Sequence, residues 1–219
     1  MDLQLLTHLQ SYLTGRRRDI FQKILSERTR HFTVVTEDVY QLHNTSAVMR
    51  SCDVFGIQDL HVIEEQLGKR IDKEIAMGAQ KWVDIYRYNS VTDCIDNLKA
   101  ENYQIIATTP HNNATLLDEF DVTKKSAFFF GKENEGLSEV VFNSADGILK
   151  IPMYGFTESL NISVSAAIIL QSAVTRLKRT EIDWQLSETE KQELLMDWTM
   201  KTIKSSEEIV EHYYQQKKL

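Results

Sequence analysis

The sequence predicts an α/β protein whose parallel sheet carries helices on both faces, with further helical segments at the two ends of the chain. Two observations favour this fold class. Between residues 31 and 178, short and nearly continuous apolar segments alternate with helical segments, as expected where helices bury both faces of parallel strands. The 219 residues include only two prolines and eight glycines, and no low-complexity linker interrupts them, so the alternating segments are expected to share one core.

Six segments rich in β-branched and aromatic residues are predicted to form the strands: 32–37, 59–65, 84–88, 103–109, 126–132 and 147–152. Helices are predicted between and after them, at 45–55, 90–100, 137–144 and 161–180. Apolar spacings of three and four predict a helical region over 1–30 and a long amphipathic helix over 187–218. The predicted domains are an N-terminal helical extension (1–30), the α/β domain (31–178) and a C-terminal helical extension (179–219).

The composition argues against several classes of protein. No run of about 18 apolar residues occurs, so no membrane-spanning helix is predicted, and the N-terminus lacks the features of a secretory signal. Cys52 and Cys94 have no paired spacing and are expected to be buried free thiols in a reducing cytoplasm. The six histidines are scattered, so no metal site is expected.

The net charge of −7 is unevenly distributed. Residues 1–31 hold six basic and three acidic side chains, whereas residues 181–219 hold nine acidic and five basic ones. Phosphate binding depends on the local basic patch that a nucleic-acid backbone meets. The predicted RNA contacts are Arg16, Arg17, Arg18, Arg28 and Arg30. The alternative for the arginine run is that it is a solvated helix start.

Three polar loops follow predicted strands. Asn44 and Arg50 follow the first strand, GKENEG follows the FFF strand, and MYGFTESLN follows the KIP strand. Ligands bind open parallel sheets at the loops after the carboxyl ends of strands. The first two loops each have an ordinary explanation, because Asn44 can cap a helix, Arg50 can lie on the surface and GKENEG can be a turn. In the third loop, a helix cap explains Ser159 or Asn161 but hardly both. Three such loops converging on one edge predict a site.

Taken together, the loops resemble, in order and spacing, the three signature motifs of the SpoU branch of the SPOUT RNA methyltransferases. Asn44 and Arg50 in NTSAVMR are similar to the first motif, GKENEG with Glu133 to the second, and IPMYGFTESLNISVSAA to the third. Within that branch the resemblance is closest to the TrmH group, which methylates the ribose of the D-loop guanosine at tRNA position 18. The resemblance runs from about residue 16 to about residue 178.

This resemblance implies a deep C-terminal trefoil knot, bound S-adenosylmethionine, a tRNA substrate and a homodimer with the site at the interface. By motif position, the cofactor is expected to contact Thr108, Gly131, Ile151 and Leu160. The catalytic positions are occupied by Asn44, Arg50, Glu133, Ser159 and Asn161.

The predicted reaction is methyl transfer from S-adenosylmethionine to a ribose 2′-hydroxyl. Arg50 is expected to stabilise the forming alkoxide and to bind an RNA phosphate, which suits its fork of donors. Three alternatives remain open: the same chemistry on ribosomal RNA, an RNA-binding module without catalysis, and a nucleotide-binding α/β enzyme without an RNA partner. The acidic charge favours the last of these.

Overall fold

The computed structural model describes residues 2–39, 42–65, 78–111, 114–132 and 135–217. The chain forms two compact units: Thr29–Trp184 is the larger one, and Met1–Arg28 together with Gln185–Leu219 is the smaller one. Within the described ranges, no helix is both long and apolar enough to cross a membrane.

The larger unit contains a seven-stranded sheet in the order β3-β2-β1-β6-β4-β7-β5, and every pair of neighbouring strands is parallel. The strands are β1 (Phe32–Glu37), β2 (Asp59–Ile63), β3 (Asp84–Tyr88), β4 (Gln104–Thr108), β5 (Thr115–Leu116), β6 (Ser126–Phe130) and β7 (Gly147–Lys150). The predicted parallel sheet is confirmed, and each predicted segment contains a strand. The short β5 was not predicted, because two residues are too few to show an alternating pattern.

Helices cover both faces of this sheet. The α-helices in the described part of the chain are α1 (Leu3–Gln10), α2 (Gly15–Leu25), α3 (Leu42–Phe55), α4 (Val91–Ala100), α5 (Glu139–Ser144), α6 (Ile162–Leu177), α7 (Glu188–Thr202) and α8 (Ser206–Gln216). One core cluster joins the sheet to α3 and α6, and a second joins it to α4 and α5. Both faces are therefore buried, which explains why the strands are nearly continuous apolar segments.

Alternation along the strands assigns each side chain to one of these two cores. Phe128 and Phe130 belong to the cluster with α3 and α6, whereas Phe129 belongs to the cluster with α4 and α5. All three are at most 2% exposed, and burying a side chain of this size contributes roughly 1.5–3 kcal/mol. Cys52 on α3 and Cys94 on α4 are buried and form no disulfide, as predicted.

In the smaller unit, each of the two regions predicted to be helical is divided into two helices. The region 1–30 contains two helices, because Thr14 caps α2 by accepting a hydrogen bond from the backbone N–H of Arg17 (3.2 Å). The region 187–218 also contains two, because Ser205 adopts a left-handed conformation (φ 55°) that interrupts the helical path. The four helices pack together through a core that includes Phe21 and Trp198, whose ring centroids are 5.7 Å apart.

Candidate functional site

A cavity of about 570 Å³ lies at the carboxyl ends of β4, β6 and β7, which are neighbours in the sheet. Its walls are the segments that follow these three strands and the start of α6. Apolar side chains from Leu137, Leu149, Ile151, Leu160, Ile162 and Ile169 line it, together with polar residues that include Thr108, Thr109, Lys132, Glu135, Glu158 and Ser159. A volume of this size and a mixed lining suit an organic ligand with an apolar ring and polar substituents.

The cavity brings together six of the nine residues predicted for catalysis and cofactor binding: Thr108, Gly131, Ile151, Ser159, Leu160 and Asn161. They come from three loops that are far apart in the sequence. Thr108 is fixed at the end of β4, because its hydroxyl donates a hydrogen bond to the carbonyl of Phe129 (2.7 Å).

Gly131 lies where two backbone segments come into close contact. A Cβ atom at residue 131 would lie 2.2 Å from the carbonyl carbon of Gly136 and 2.3 Å from the backbone nitrogen of Leu137. Lys132 and Gly136 exchange two backbone hydrogen bonds of 3.0 Å, and Gly136 has a left-handed φ of 72°. Both glycines are therefore required by the geometry of the cavity wall.

Asn44 and Asn161 join the first loop to the third. The side-chain amide of Asn161 donates to Oδ1 of Asn44 (3.1 Å). Oδ1 of Asn161 accepts from the backbone N–H of Ser163 (2.8 Å), so Asn161 also caps α6. The prediction that Asn44 caps the following helix is wrong: α3 begins at Leu42, and Asn44 is buried within its first turn.

Arg50 lies further along α3, is exposed, and is not part of the cavity lining. Glu133, the predicted catalytic residue of the second loop, lies outside the described residues.

Sequence reasoning missed the charged side chains in the cavity wall. The ammonium group of Lys132 lies 3.0 Å from a carboxylate oxygen of Glu135 and its side chain is 9% exposed, whereas that of Glu135 is 65% exposed. The GKENEG motif contains both residues, but nothing in the sequence indicates which of its side chains face the cavity. Among the described residues, no group of three His, Cys, Asp or Glu side chains could hold a metal ion.

The five predicted RNA contacts differ in exposure. Arg16, Arg17 and Arg18 are exposed in the first turn of α2. In the same unit, Arg28 is 1% exposed and its guanidinium carbon lies 5.4 Å from the ring centroid of Trp198. A buried guanidinium cannot meet a phosphate, so the prediction for Arg28 is wrong.

Arg30, in the larger unit, is paired with carboxylates of its own chain, and its predicted RNA contact stays a prediction. Its Nε lies 3.2 and 3.0 Å from the two carboxylate oxygens of Asp59, and its Nη2 donates to Asp84 (2.8 Å). Asp59 and Asp84 begin β2 and β3, so this cluster lies at the amino edge of the sheet, opposite the cavity. The side chain of Arg30 is 24% exposed, and its Nε and Nη2 donate within the protein.

Comparison with known proteins gives one family. The model of the SpoU rRNA methylase family matches residues 31–171. The tRNA (guanosine(18)-2′-O)-methyltransferase of Borreliella burgdorferi is 36% identical over 197 residues, which cover 90% of each chain. A Thermus thermophilus protein of the same name is 36% identical over 86% of this chain and 98% of its own.

Solved structures agree with this result. The A. aeolicus TrmH/SpoU tRNA-modifying enzyme superposes with a TM-score of 0.76 at 31% identity, over 86% of this chain and 98% of that one. The SpoU methyltransferase AviRb from Streptomyces viridochromogenes, solved in complex with AdoMet, gives a TM-score of 0.64 at 23% identity, over 72% of this chain and 65% of that one. The second likeness concerns the fold alone.

Proposed function

Because the chain belongs to the SpoU methylase family, we propose that it transfers a methyl group from S-adenosylmethionine to a ribose 2′-hydroxyl of tRNA, at the D-loop guanosine of position 18. The observation that carries this function is the cavity at the carboxyl edge, whose walls come from the second and third motif loops, after β6 and β7, and from the segment after β4. The Borreliella burgdorferi relative, which covers 90% of the chain, bears the name of this activity, which favours tRNA over ribosomal RNA. A tRNA substrate implies a cytoplasmic enzyme.

The described residues of the cavity fit S-adenosylmethionine. Its apolar walls suit an adenine ring, and its threonine, serine and charged side chains suit the ribose and the amino-acid part. Thr108, Gly131, Ile151 and Leu160 would hold the cofactor, largely through backbone groups, in a wall whose close backbone approach requires a glycine at residue 131. When bound, S-adenosylmethionine supplies an electrophilic methyl group on a sulfonium.

The remaining residues would orient and activate the ribose. The guanidinium of arginine is a cation with five donors and no acceptor, so Arg50 would stabilise the developing alkoxide and bind a phosphate instead of removing a proton. Ser159 and Asn161 line the cavity and would fix the ribose. Asn44 would keep the first loop in place through its bond to Asn161. Glu133 is proposed to order the second loop.

A homodimer would complete this site. Exposed apolar side chains continue from the third loop along one side of α6: Tyr154, Phe156, Leu160, Val164 and Ile168. A contiguous apolar surface of this kind marks a protein interface. Arg50 does not line the cavity of its own chain, so we propose that a second copy packs on this surface and that Arg50 of one chain serves the cavity of the other.

We also propose the deep trefoil knot that the family resemblance implies, formed where the third loop and α6 meet the second loop. The likeness to the A. aeolicus enzyme supports it.

The smaller unit is proposed to capture RNA through Arg16, Arg17 and Arg18. These arginines occupy the positive end of the α2 dipole, and α2 has no acidic residue in its first turn. Cations destabilise a helix at that end, so helix stability does not explain their position. Exposed guanidinium groups there suit contacts to a phosphate backbone.

Methylation of defined transcripts tests the reaction. With labelled S-adenosylmethionine, a tRNA transcript with guanosine at position 18 should accept one methyl group. The same tRNA with 2′-deoxyguanosine at that position should accept none, because it lacks the acceptor oxygen. Label in the deoxy substrate would contradict ribose methylation, and label in ribosomal RNA alone would contradict the tRNA assignment.

Subunit mixing tests whether the site is shared. Arg50→Ala and Asn161→Ala should each be nearly inactive. After exchange of equal amounts, half of the dimers are hybrids with one complete site, so about a quarter of the wild-type rate should return. No recovery, although native mass spectrometry detects hybrid dimers, would place Arg50 and Asn161 in the same site of one chain.

Salt-dependent tRNA binding tests the capture surface. Changing Arg16, Arg17 and Arg18 together to Gln should weaken binding and reduce the log–log salt slope by up to roughly 0.7–0.9 for each lost phosphate contact. The matched control changes Lys191, Lys201 and Lys217 to Gln, since these cations in the same unit already pair with carboxylates. Equal slopes for the two triple variants would contradict the proposal.

A further inference from the structure

The buried carboxyl group of Glu37 does not line the cavity but binds the backbone of the loop that forms the cavity wall. Glu37 is the last residue of β1 and is 3% exposed. By strand alternation it shares the sheet face of Val35, which belongs to the core with α4 and α5. It is not one of the residues that line the cavity.

The side chain of Glu37 reaches a loop that is 101 residues away in the sequence. Its Oε2 accepts a hydrogen bond from the backbone N–H of Ser138 (3.0 Å). Ser138 caps α5, since its hydroxyl accepts from the backbone N–H of Val141 (3.4 Å). The contact therefore fixes the point at which the second loop ends and α5 begins.

This point determines the shape of the cavity wall. Leu137, directly before Ser138, lines the cavity, and its backbone nitrogen is in the close approach to Gly131. The start of the loop is fixed by β6, and its middle by the paired backbone bonds of Lys132 and Gly136. Glu37 adds a tether from a different strand at the far end.

The backbone at this position is also constrained. Asp38 is 3% exposed, has a left-handed φ of 45°, and donates its N–H to the carbonyl of Ile63 (3.0 Å). A non-glycine residue in this conformation is strained and is retained where the surrounding structure determines it. Because Asn44 and Arg50 follow on α3, Glu37 lies at the base of the first loop and holds the second.

We propose that Glu37 is a positioning residue for S-adenosylmethionine binding, which keeps the backbone of residues 136–138 in the register that forms the cavity wall. This role rests on the proposed function and assigns Glu37 no contact with the cofactor. If Glu37 has this role, the length of its side chain should affect cofactor affinity more than its charge does, because the group that it binds is the neutral peptide N–H of Ser138.

Two substitutions separate reach from charge. Glu37→Gln keeps the length and an oxygen acceptor, so the dissociation constants for S-adenosylmethionine and S-adenosylhomocysteine should stay within about threefold of wild type. Glu37→Asp keeps the carboxyl group but is one methylene shorter, so both constants should rise about tenfold, as expected for an unsatisfied buried donor. The KM for S-adenosylmethionine should rise in parallel in Glu37→Asp, with kcat nearly unchanged at saturation.

Asp59→Asn is the matched control, since Asp59 is a buried carboxyl group (4% exposed) at the opposite edge of the same sheet. It should lower the melting temperature without changing either dissociation constant. The role of Glu37 is overturned if Glu37→Asp has a lower melting temperature but binds both ligands normally. It is also overturned if Glu37→Asp weakens only the binding of S-adenosylmethionine, the ligand with the sulfonium charge, or if Glu37→Gln binds the ligands more weakly than Glu37→Asp does. A wild-type protein that binds neither ligand would instead contradict the proposed function.

Discussion

The two edges of the parallel sheet use polar residues in opposite ways. At the amino edge, Arg30 binds Asp59 and Asp84, and Tyr103 donates its hydroxyl to the backbone carbonyl of Arg30 (2.7 Å). These groups satisfy one another. At the carboxyl edge, the chain instead forms an open cavity, and Asn161 in its wall is bonded to Asn44 on α3.

This difference shows why a charged cluster and a functional site are easily confused in a sequence. Burial raises the pKa of Asp59 to about 6, although Arg30 opposes the shift. A perturbed carboxyl group is a common property of active sites, but structural ion pairs produce it too. The cavity is distinguished by its position after the strands and by backbone that only glycine allows.

The largest expected effect tests the carboxyl edge through its backbone. Gly131→Ala should weaken S-adenosylmethionine binding more than about a hundredfold, because the new methyl group would overlap fixed backbone atoms. Gly155→Ala is the control, since the nearest atom to a Cβ there is 4.0 Å away. Calorimetry of both variants measures the difference, and normal affinity in Gly131→Ala would show that the wall can move.

The next effect concerns the chemistry at that edge. Arg50→Ala should lower the methyl-transfer rate about a hundredfold, on the order of 3 kcal/mol, as the loss of a transition-state contact does. Affinity for S-adenosylmethionine should change little, because Arg50 does not line the cavity of its own chain. Arg87→Ala, which removes an arginine paired with Glu64 on the sheet, should keep its rate. A collapse of cofactor affinity in Arg50→Ala with normal residual turnover would contradict this role.

The sequence predicted the strands and the three loops because both leave local signals. Buried parallel strands are continuous apolar segments, and the loop motifs have recognisable spacing. The helix breaks before Thr14 and at Ser205 leave weaker signals, since serine and threonine also occur within helices. The β5 strand is too short to show a pattern.

Charge counting failed for Arg28, and did not show the carboxylate partners of Arg30, because it does not record which way a side chain points. The partners of Arg30 are 29 and 54 residues away, and the ring beside Arg28 belongs to a helix near the other end of the chain. The same limit hid Lys132 and Glu158 in the cavity wall and the contact from Glu37 to Ser138. These contacts join residues that are far apart in the sequence and come together only in the folded chain.

At the amino edge, Arg30→Ala should reduce stability and leave the cavity intact. Removing Arg30 leaves the Asp59 carboxylate buried without its cation, which costs on the order of 3 kcal/mol at pH 8. The pKa of Asp59 should then rise above 6, since Arg30 no longer lowers it. At pH 5, Asp59 is therefore protonated in both the wild type and the variant, so the loss of stability caused by Arg30→Ala should be smaller than at pH 8. Denaturant unfolding at the two pH values checks this, with S-adenosylmethionine affinity as the control. A loss that grows at pH 5 would contradict the ion-pair explanation.

The smallest effect tests whether the bond between Asn44 and Asn161 couples two of the motifs. Asn161→Ala would also remove the cap of α6, so Asn161→Asp is the sharper variant: it keeps an acceptor for the N–H of Ser163 and loses the donor to Asn44. Asn44→Ala and Asn161→Asp should each lower the methyl-transfer rate about fivefold, the loss of a hydrogen bond worth about 1 kcal/mol. The double variant should be little worse than either single one, because the same bond is already lost. A double-mutant cycle on kcat/KM measures this coupling. If the two losses simply multiply, the asparagines act independently, and the first and third loops are positioned by their separate helices.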